Sequence, residues 1–499
     1  MNLIKITYFL IILTSPFPMS IQSYGDEALE SQSAVENGLR YPILIANSEN
    51  SHMNLLDRMD YYNAPGLSIA VIDNGEILWA KGYGTTTHGA EAYLISPHTL
   101  FQAGSISKSI TAFGALLLVQ QGKISLDENV NDYLRKWKIP DNEFTEKEKV
   151  TLRRLLSHSA GTNVHGFPGY SIDETIPSIV EILDGARPVV NTDPVRVTST
   201  PGSELRYSGG GTTIIQLLIE DITGERFDIW MRQNVLLPLG MTESTFSQPL
   251  PQSLSFSSAY GHLHDGTKVP GNWHIYPEMA AAGLWSNPTD LAKFILHIQA
   301  TLKGNSIDLL KSDTVKEMIT RQKLNDHQEI SSGLGLFIEH DSENLVFQHG
   351  GRDEGFLASL YGFAFRNQGV VIMINNDSAF GLIDELTNSV ADAYGWPNFI
   401  PIEKEEISVD PSLYSQFCGI FAHEDSEIEI TCIKNQLFID FRIDGINKIE
   451  LHPDSPLTYF MQQGEDRIEF VKPKCGKNSI DELTFISKKE RTSYKRKYL

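Results

Sequence analysis

A serine and a lysine stand three residues apart in Ser105-Ile106-Ser107-Lys108, at the start of a strongly apolar stretch. Residues at this spacing lie one turn apart on the same face of a helix. A serine hydroxyl is a weak nucleophile until a base takes its proton, and a lysine can be that base when burial and charge lower its pKa. A helix opening at Ser105 would also direct backbone N–H groups at a developing oxyanion. The pair therefore predicts acyl transfer through Ser105, if further reactive groups meet it.

Two other segments carry groups that such a site would use. Tyr207 lies in Arg206-Tyr207-Ser208-Gly209, before a predicted helix. A phenol can relay a proton between the serine oxygen and a leaving group, best when lysine charge lowers its pKa from about 10. His349 lies in Gln348-His349-Gly350-Gly351, at the end of an apolar strand, where glycines let the strand edge approach a substrate closely. The residue after these glycines can offer its backbone N–H to an oxyanion.

The elements that position these groups follow from periodicity. An apolar strand at 67–72, the turn Asn74-Gly75 and a returning strand at 76–84 predict a hairpin. A buried helix is predicted from Ser105 to Gln121, with Gly122 placed to end it. Further helices are predicted at 151–156, 214–223, 227–236 and 289–298, and further strands at 334–339, 345–348, 356–365 and 370–375. Strands at both ends of the chain indicate an α+β fold, in which helices and a helical subdomain flank one antiparallel sheet.

A second domain is predicted after the Pro- and Glu-rich linker near residue 400. Short alternating segments at 427–430, 437–441 and 467–471 indicate a small all-β, barrel-like domain over residues 408–499. Cys418, Cys432 and Cys475 all fall in it. Their odd number leaves at least one unpaired within the chain, and one disulfide or buried free thiols both fit. None lies near a candidate nucleophile, which argues against cysteine chemistry.

The N-terminus is typical of an export signal. Lys5 precedes an apolar run over 6–13 that is too short to span a bilayer, and Pro16 and Pro18 break it. We expect a signal peptide over residues 1–23, a polar linker over 24–50 and a periplasmic or secreted protein, with an uncleaved anchor as the alternative. With 41 basic and 63 acidic residues the net charge is −22, which disfavours nucleic acid and anionic lipid as partners.

In order and spacing, these motifs resemble the serine β-lactamase and penicillin-binding-protein superfamily. The chain is most similar to the class C β-lactamase-like branch, which also holds D-stereospecific peptidases and esterases. The resemblance runs from about Leu55 to Tyr394, so we assign residues 51–398 to the catalytic domain. Further stretches in the family's style are Pro65-Gly66-Leu67-Ser68-Ile69-Ala70-Val71, Arg153-Arg154-Leu155-Leu156-Ser157-His158, Leu237-Pro238-Leu239-Gly240-Met241 and Ala281-Ala282-Gly283-Leu284. The C-terminal domain resembles the small barrel or lipocalin-like modules appended to some members.

The resemblance implies a role for each motif residue. Ser105 resembles the nucleophile that forms an acyl-enzyme, Lys108 its activating partner, and Tyr207 the tyrosine that shares acid and base duty. His349 stands where many members have a lysine and this branch often has histidine. Gly351 resembles the glycine of that motif, and the backbone N–H groups of Ser105 and Arg352 would form the oxyanion hole. Whether Lys108 or Tyr207 is the base stays open, as it does for the family.

One position departs from the family pattern. The tyrosine motif of β-lactamases and peptidases usually ends in an asparagine that contacts the substrate, and here Gly209 stands there. A glycine cannot make that side-chain contact, which favours a peptidase or esterase over an efficient β-lactamase. We therefore expect an exported serine hydrolase without cofactor or metal, acting on an amide, lactam or ester of a small molecule or peptide. The alternative is a sensor or binding protein that keeps the fold without turnover. The oligomeric state stays open.

Three other groups of polar residues have both a functional and a structural interpretation. His158 is interpreted as a structural histidine that bonds nearby backbone. His262, His264 and Asp265 alternate as in a strand and could bind zinc, but solvated polar residues are the preferred interpretation. Glu278 is placed either at the rim of the site or away from it.

Overall fold

The computed structural model describes residues 20–48, 51–89, 92–304, 309–424, 426–442, 448–471, 480–487 and 490–498. The expected signal peptide lies almost wholly outside these residues, and so does Cys475. Among them, no helix is both long and apolar enough to cross a membrane. The helices are α1 Ser20–Asn37, α2 Leu55–Tyr61, α3 Ile106–Gln120, α4 Leu152–Leu156, α5 Ile179–Asp184, α6 Gly209–Thr223, α7 Phe227–Met231, α8 Gln252–Ser255, α9 Met279–Ala282, α10 Pro288–Leu302, α11 Ser312–Met318 and α12 Phe380–Ala393.

The strands fall into a catalytic part and a C-terminal part. Those of the first part are β1 Ile43–Ile45, β2 Gly66–Asp73, β3 Glu76–Gly84, β4 Phe101–Gln102, β5 Trp285–Ser286, β6 Phe337–Glu339, β7 Val346–Asp353, β8 Phe356–Phe363, β9 Gly369–Ile374 and β10 Ile402–Lys404. Those of the second are β11 Gly419–His423, β12 Ser426–Ile433, β13 Gln436–Asp440, β14 Ile449–Pro453, β15 Thr458–Met461, β16 Gly464–Phe470, β17 Glu482–Ile486 and β18 Arg491–Arg496.

A six-stranded antiparallel sheet in the order β3-β2-β9-β8-β7-β6 forms the centre of the catalytic part. Its first two strands and its last four come from opposite ends of this part, as the sequence predicts. One face packs into a large core with α3 and α10, and the other into a second core with α12. Pairing sets the register, so the side chains of each strand alternate between the two cores.

Two helices near the site begin where the sequence predicts, and a side-chain cap is present at α10 but not at α3. Ser105 is the residue before α3, and the buried face of that helix includes Ile110 and Phe113. The Asn287 side chain accepts from the N–H of Asp290 and Pro288 occupies the first turn of α10, which is the predicted start of that helix. The predicted fold class is confirmed.

Residues 24–48, part of the segment for which a polar linker is expected, carry regular structure. They contain most of α1 and the whole of β1. Val35 and Leu39 are buried in the core beneath α12, and the Ser389 hydroxyl of α12 donates to the carbonyl of Val35 at 2.8 Å. These apolar side chains are too widely spaced among polar residues to show as a periodic pattern, which is why the sequence suggested a linker.

The C-terminal part is a closed eight-stranded barrel, β11 to β18, as expected for a barrel-like module. Its interior is filled by side chains that include Phe421, Tyr459 and Phe470. The chain segment at β1 ties the barrel to the catalytic part: it pairs with β10, and Gln462 of the barrel donates its side-chain amide to the carbonyl of Ile43 at 3.1 Å. Cys418 and Cys432 are free thiols.

Candidate active site

Lys108 and Ser105 are in direct contact at the start of α3. The Lys108 ammonium donates to the Ser105 hydroxyl at 2.8 Å and to the carbonyl of Ala281 at 2.7 Å. Lys108 is 3% exposed, whereas Ser105 is half-buried and opens into a cavity. The carbonyl of Ala281 therefore holds the amine in place while the hydroxyl stays accessible. This is the pairing of nucleophile and partner that acyl transfer requires.

Two glycines bring the edge of β7 against the residues that precede α3. A Cβ on Gly351 would lie 2.0 Å from the carbonyl oxygen of Ala103 and 3.2 Å from the amide nitrogen of Ser105. A Cβ on Gly104, which has φ +50°, would lie 2.5 Å from the amide nitrogen of Arg352. Neither contact is possible for a side chain, so only glycine allows this approach. It places the amides of Ser105 and Arg352 beside each other.

The strand pairing indicates where the Arg352 amide points. Asp353 and Phe356 flank the two-residue turn between β7 and β8, so these two residues form a hydrogen-bonded pair. Hydrogen-bonded and non-hydrogen-bonded pairs alternate along an antiparallel ladder, so the next pair, Arg352 and Leu357, is not hydrogen-bonded. The N–H of Arg352 is therefore directed away from β8. β6 pairs with β7 only over Val346–Gln348, which leaves the edge beside Arg352 open. Two N–H donors at this edge are suited to stabilise an oxyanion.

Tyr207 stands between the lysine and a group of aromatic rings. The Lys108 nitrogen lies 5.1 Å from the centroid of the Tyr207 ring, and His158 packs on that ring at 4.4 Å between centroids. The N–H of Ser208 donates to Nδ1 of His158 at 3.3 Å, as expected for a structural histidine that bonds backbone. Burial, and then the charge of Lys108, hold the pKa of His158 well below its usual range. A neutral His158 thus fixes the position of the phenol.

His349 is held as one neutral tautomer. Its Nδ1 lies 2.6 Å from the carbonyl of Gly350, which can only accept, so Nδ1 carries the proton. Burial, followed by the charge of Lys108, lowers the pKa of His349 to about 4. Nε2 is buried and has no hydrogen-bond partner among the described residues. His349 therefore presents a free lone pair at the site, unlike a lysine in the same position, which would present a proton.

A loop occupies the place of the side chain that Gly209 lacks. The N–H of Gly209 donates to the carbonyl of His165 at 3.0 Å, and a Cβ on Gly209 would lie 3.0 Å from the ring of Phe167. The same loop brings the exposed His165 ring to 4.9 Å from the Tyr207 ring. Sequence reasoning missed His165, since no motif spacing relates it to Tyr207. It is a polar group that the site offers where an asparagine is absent.

These residues line one cavity of about 870 Å³, large enough for a small-molecule or peptide substrate. All four predicted catalytic residues border it, together with Gly351 and Arg352. The others are His165, Gly166, Phe167, Pro168, Ala282, Phe337, Gln348, Gly350, Asp353, Leu357, Ala358, Ser359, Phe380, Ile383 and Asp384. Phe337 stacks on Tyr207 at 6.1 Å between centroids. None of the described barrel residues lines the cavity.

Two carboxyl groups are buried close to the site. Asp353 borders the cavity and Glu278 precedes α9, and the carboxyl oxygens of both are buried. Burial raises the pKa of Asp353 well above its usual range, although the charge of Lys108 opposes this, and burial raises the pKa of Glu278 to about 8. Glu278 does not line the cavity, so it does not form the rim.

The histidine group considered for zinc has no free nitrogen at His262. Its Nδ1 lies 3.1 Å from the carbonyl of Asn375, and its Nε2 lies 3.2 Å from the hydroxyl of Thr87. Within the described ranges, no group of three or more potential metal ligands comes together. His262 therefore has a structural role.

Comparison with known proteins identifies the family that this fold and site define. Residues 54–391, about two thirds of the chain, match the Beta-lactamase family. The chain belongs to this family, whose wider superfamily includes the penicillin-binding proteins and their homologues.

Its relatives are distant in sequence. Penicillin-binding protein 4* of Bacillus subtilis (strain 168) is 20% identical over 426 residues, which cover 80% of this chain and 90% of the relative. Protein flp of Staphylococcus aureus (strain N315) is 24% identical over 339 residues, which cover 65% of this chain and 63% of flp. The structure of an octameric penicillin-binding protein homologue from Pyrococcus abyssi has a TM-score of 0.59 and 21% identity, covering 88% of this chain and 98% of that one. At this identity the structural likeness establishes the fold alone.

Proposed function

We propose that the protein is an exported serine hydrolase that cleaves an amide, lactam or ester through an acyl-enzyme on Ser105. The observation that carries the proposal is the 2.8 Å contact between Lys108 and the Ser105 hydroxyl at the open edge of β7. Membership of the family supports hydrolase chemistry in general. Export rests on the signal-like N-terminus.

The reaction follows from the contacts. The Ser105 oxygen attacks the substrate carbonyl carbon, and its proton passes either to Lys108 in its neutral amine form or to Tyr207 in its phenolate form. The N–H groups of Ser105 and Arg352 stabilise the oxyanion, and the leaving group departs with a proton as acyl-Ser105 forms. Water then attacks this ester, the product acid leaves and Ser105 regains its proton.

The loop that packs against Gly209 affects which substrates the site can bind. The amide of an asparagine would bind the polar acyl-amide group of β-lactams and D-alanyl peptides, and this site has Phe167 and His165 there instead. We therefore propose that esters and amides with simpler acyl groups are preferred over β-lactams.

A substrate panel tests the proposal. We expect p-nitrophenyl esters to be hydrolysed faster than a chromogenic cephalosporin or an acylated D-alanyl peptide. Ser105→Ala should abolish turnover and labelling by an activity-based serine probe. Ser203→Ala, which changes an exposed serine, is the matched control and should keep both. Full activity of Ser105→Ala on a good substrate would disprove the proposal.

The second candidate function is that of a binding or sensor protein, which becomes acylated without turnover. The glycine at position 209, where the family pattern has an asparagine, favours this function. Intact-mass spectrometry separates the two. An acyl-Ser105 adduct that decays within one catalytic cycle supports the hydrolase. A stable adduct with no released acid supports a binding or sensor protein.

A further inference from the structure

The cavity at Ser105 continues past the edge of β7 onto the other face of the sheet. Side chains alternate along β7: Phe347 packs in the core with α3, and Val346 in the core with α12. By the same alternation, His349 faces α3 whereas Gly350 and Arg352 face α12. The second part of the cavity, here called the α12 lobe, is lined by Arg352, Leu357, Ser359, Phe380, Ile383 and Asp384.

Gly350 leaves the passage between the two parts open. A Cβ at this position would meet only the carbonyl oxygen of Ala358, at 3.9 Å. The space above Gly350 is therefore free, in contrast to the packed surroundings of Gly351. A substrate bound at Ser105 can extend one arm over Gly350 into the α12 lobe.

Asp384 is the charged group of the α12 lobe that lacks a partner. Its carboxylate is accessible from the cavity and has no hydrogen bond or ion pair among the described residues. Of the neighbouring charged groups, Arg352 lies 4.0 Å from Asp377, and Glu385 accepts two hydrogen bonds from Arg58. Asp384 is therefore the carboxylate of the lobe to which no described residue is paired.

The surroundings of this carboxylate are apolar. Leu357 and Ile383 are buried, and the ring of Phe380 is 51% exposed. Asp384 itself is exposed toward the cavity, and desolvation, followed by the charge of Glu385, raises its pKa to about 6. A cation bound beside this carboxylate would favour its charged form. The central carbon of the Arg352 guanidinium lies 5.9 Å from the centroid of the Phe380 ring, so that ring already has a cationic neighbour.

We propose that the α12 lobe binds a positively charged ammonium group of the substrate through Asp384. The substrates are then esters or amides that carry an ammonium group on the arm that passes Gly350. This inference deepens the proposed function and rests on it.

Matched ester substrates test the charge preference. One series carries a trimethylammonium group on the acyl chain and a second carries it on the leaving group. Each is paired with an isosteric neutral tert-butyl compound and with a carboxylate, over several chain lengths. For at least one chain length, kcat/KM should favour the cation over its neutral isostere by about tenfold, the factor that one charge-assisted contact supplies. The series that shows the preference identifies the arm.

Three variants locate the effect. Asp384→Asn should reduce the preference to about one, and Asp384→Lys should favour the carboxylate. Asp313→Asn makes the same change of charge at an exposed residue outside the cavity and should keep the preference. It controls for long-range attraction by the net charge of −22.

The outcomes separate the two proposals. Equal preferences in Asp384→Asn and wild type, with p-nitrophenyl acetate hydrolysed, would overturn the ammonium site and leave the hydrolase intact. If no ester is hydrolysed, titration calorimetry with hexyltrimethylammonium still tests the ammonium site. Binding that is lost in Asp384→Asn and kept in Asp313→Asn supports the site. Equal heats of binding in wild type, Asp384→Asn and Asp313→Asn overturn it.

Discussion

Replacing Gly351 by alanine is expected to remove one donor of the proposed oxyanion hole without changing any side chain that we propose to be reactive. The new methyl carbon would lie 2.0 Å from the carbonyl oxygen of Ala103. Carbon and oxygen atoms rarely approach closer than about 3.3 Å, so β7 must move away from α3 by more than about 1 Å. Gly350→Ala is the matched control, since its Cβ meets one atom at an ordinary 3.9 Å.

The size of the effect follows from hydrogen-bond geometry. Oxyanion donors act at about 2.7–3.1 Å, so a shift of about 1 Å takes the amide of Arg352 out of range. Losing one such donor costs about 10²–10³ in kcat. The assay is steady-state hydrolysis of p-nitrophenyl acetate, with thermal unfolding to verify that each variant is folded. We expect this loss for Gly351→Ala and a change within threefold for Gly350→Ala.

A second pair of variants makes the test independent of packing. Arg352→Pro deletes the N–H itself, and a proline is tolerated here if that N–H faces the open edge rather than β8. Arg352→Ala controls for the lost guanidinium. Folded Gly351→Ala and Arg352→Pro proteins with kcat within threefold of wild type would refute the oxyanion hole assigned to this edge.

Three further predictions concern the base, a buried acid and the loop at Gly209. Lys108→Met should prevent acylation. If Tyr207 is the base, Tyr207→Phe should slow acylation as strongly, and if Lys108 is the base, Tyr207→Phe should slow deacylation alone. Stopped-flow measurement of the acylation rate separates these results. The raised pKa of Glu278, about 8 against an ordinary 4.5, means that the folded protein keeps its proton while the unfolded chain loses it. Stability should therefore fall by about 5 kcal/mol as the pH rises from 4.5 to 8, at about 1.36 kcal/mol per unit, and Glu278→Gln should flatten this slope in urea unfolding at several pH values. Gly209→Asn should lower the thermal midpoint without creating β-lactamase activity, because its side chain has to displace Phe167; a stable variant that hydrolyses cephalosporins would contradict this reasoning.

Local signals explain what the sequence predicted well. The long apolar run over α3, the asparagine–proline start of α10 and the Asn74-Gly75 turn are each determined by neighbours in the chain. The two motifs at Tyr207 and His349 follow from the resemblance, and the sheet brings them to one cavity. The helix α1 was missed because its few buried side chains are matched by α12, more than 340 residues away.

The start of α6 shows why part of the site could not be predicted. The sequence suggested a helix from Ile214, since glycines disfavour helices, yet α6 begins at Gly209. Its first turn is stabilised by Ser208, whose hydroxyl accepts from the N–H of Gly211 at 2.9 Å. The reason for the glycines lies outside the helix. Cβ atoms on Gly209, Gly210 and Gly211 would each lie 2.8–3.0 Å from atoms of the segment around Thr162–Phe167.

The triple glycine therefore has one consequence for the fold and another for the chemistry. It lets the 162–167 segment lie directly on α6, which closes the space where an asparagine side chain would reach the substrate. The same contact presents the His165 ring at 4.9 Å from Tyr207. The His158 ring packs on the Tyr207 ring, and the His349 ring lies 6.2 Å from it between centroids. Three imidazoles therefore surround the phenol, where the family pattern has an asparagine amide and a second lysine. Of these rings, His349 has an unprotonated Nε2, whereas Nδ1 of His158 already accepts from the N–H of Ser208.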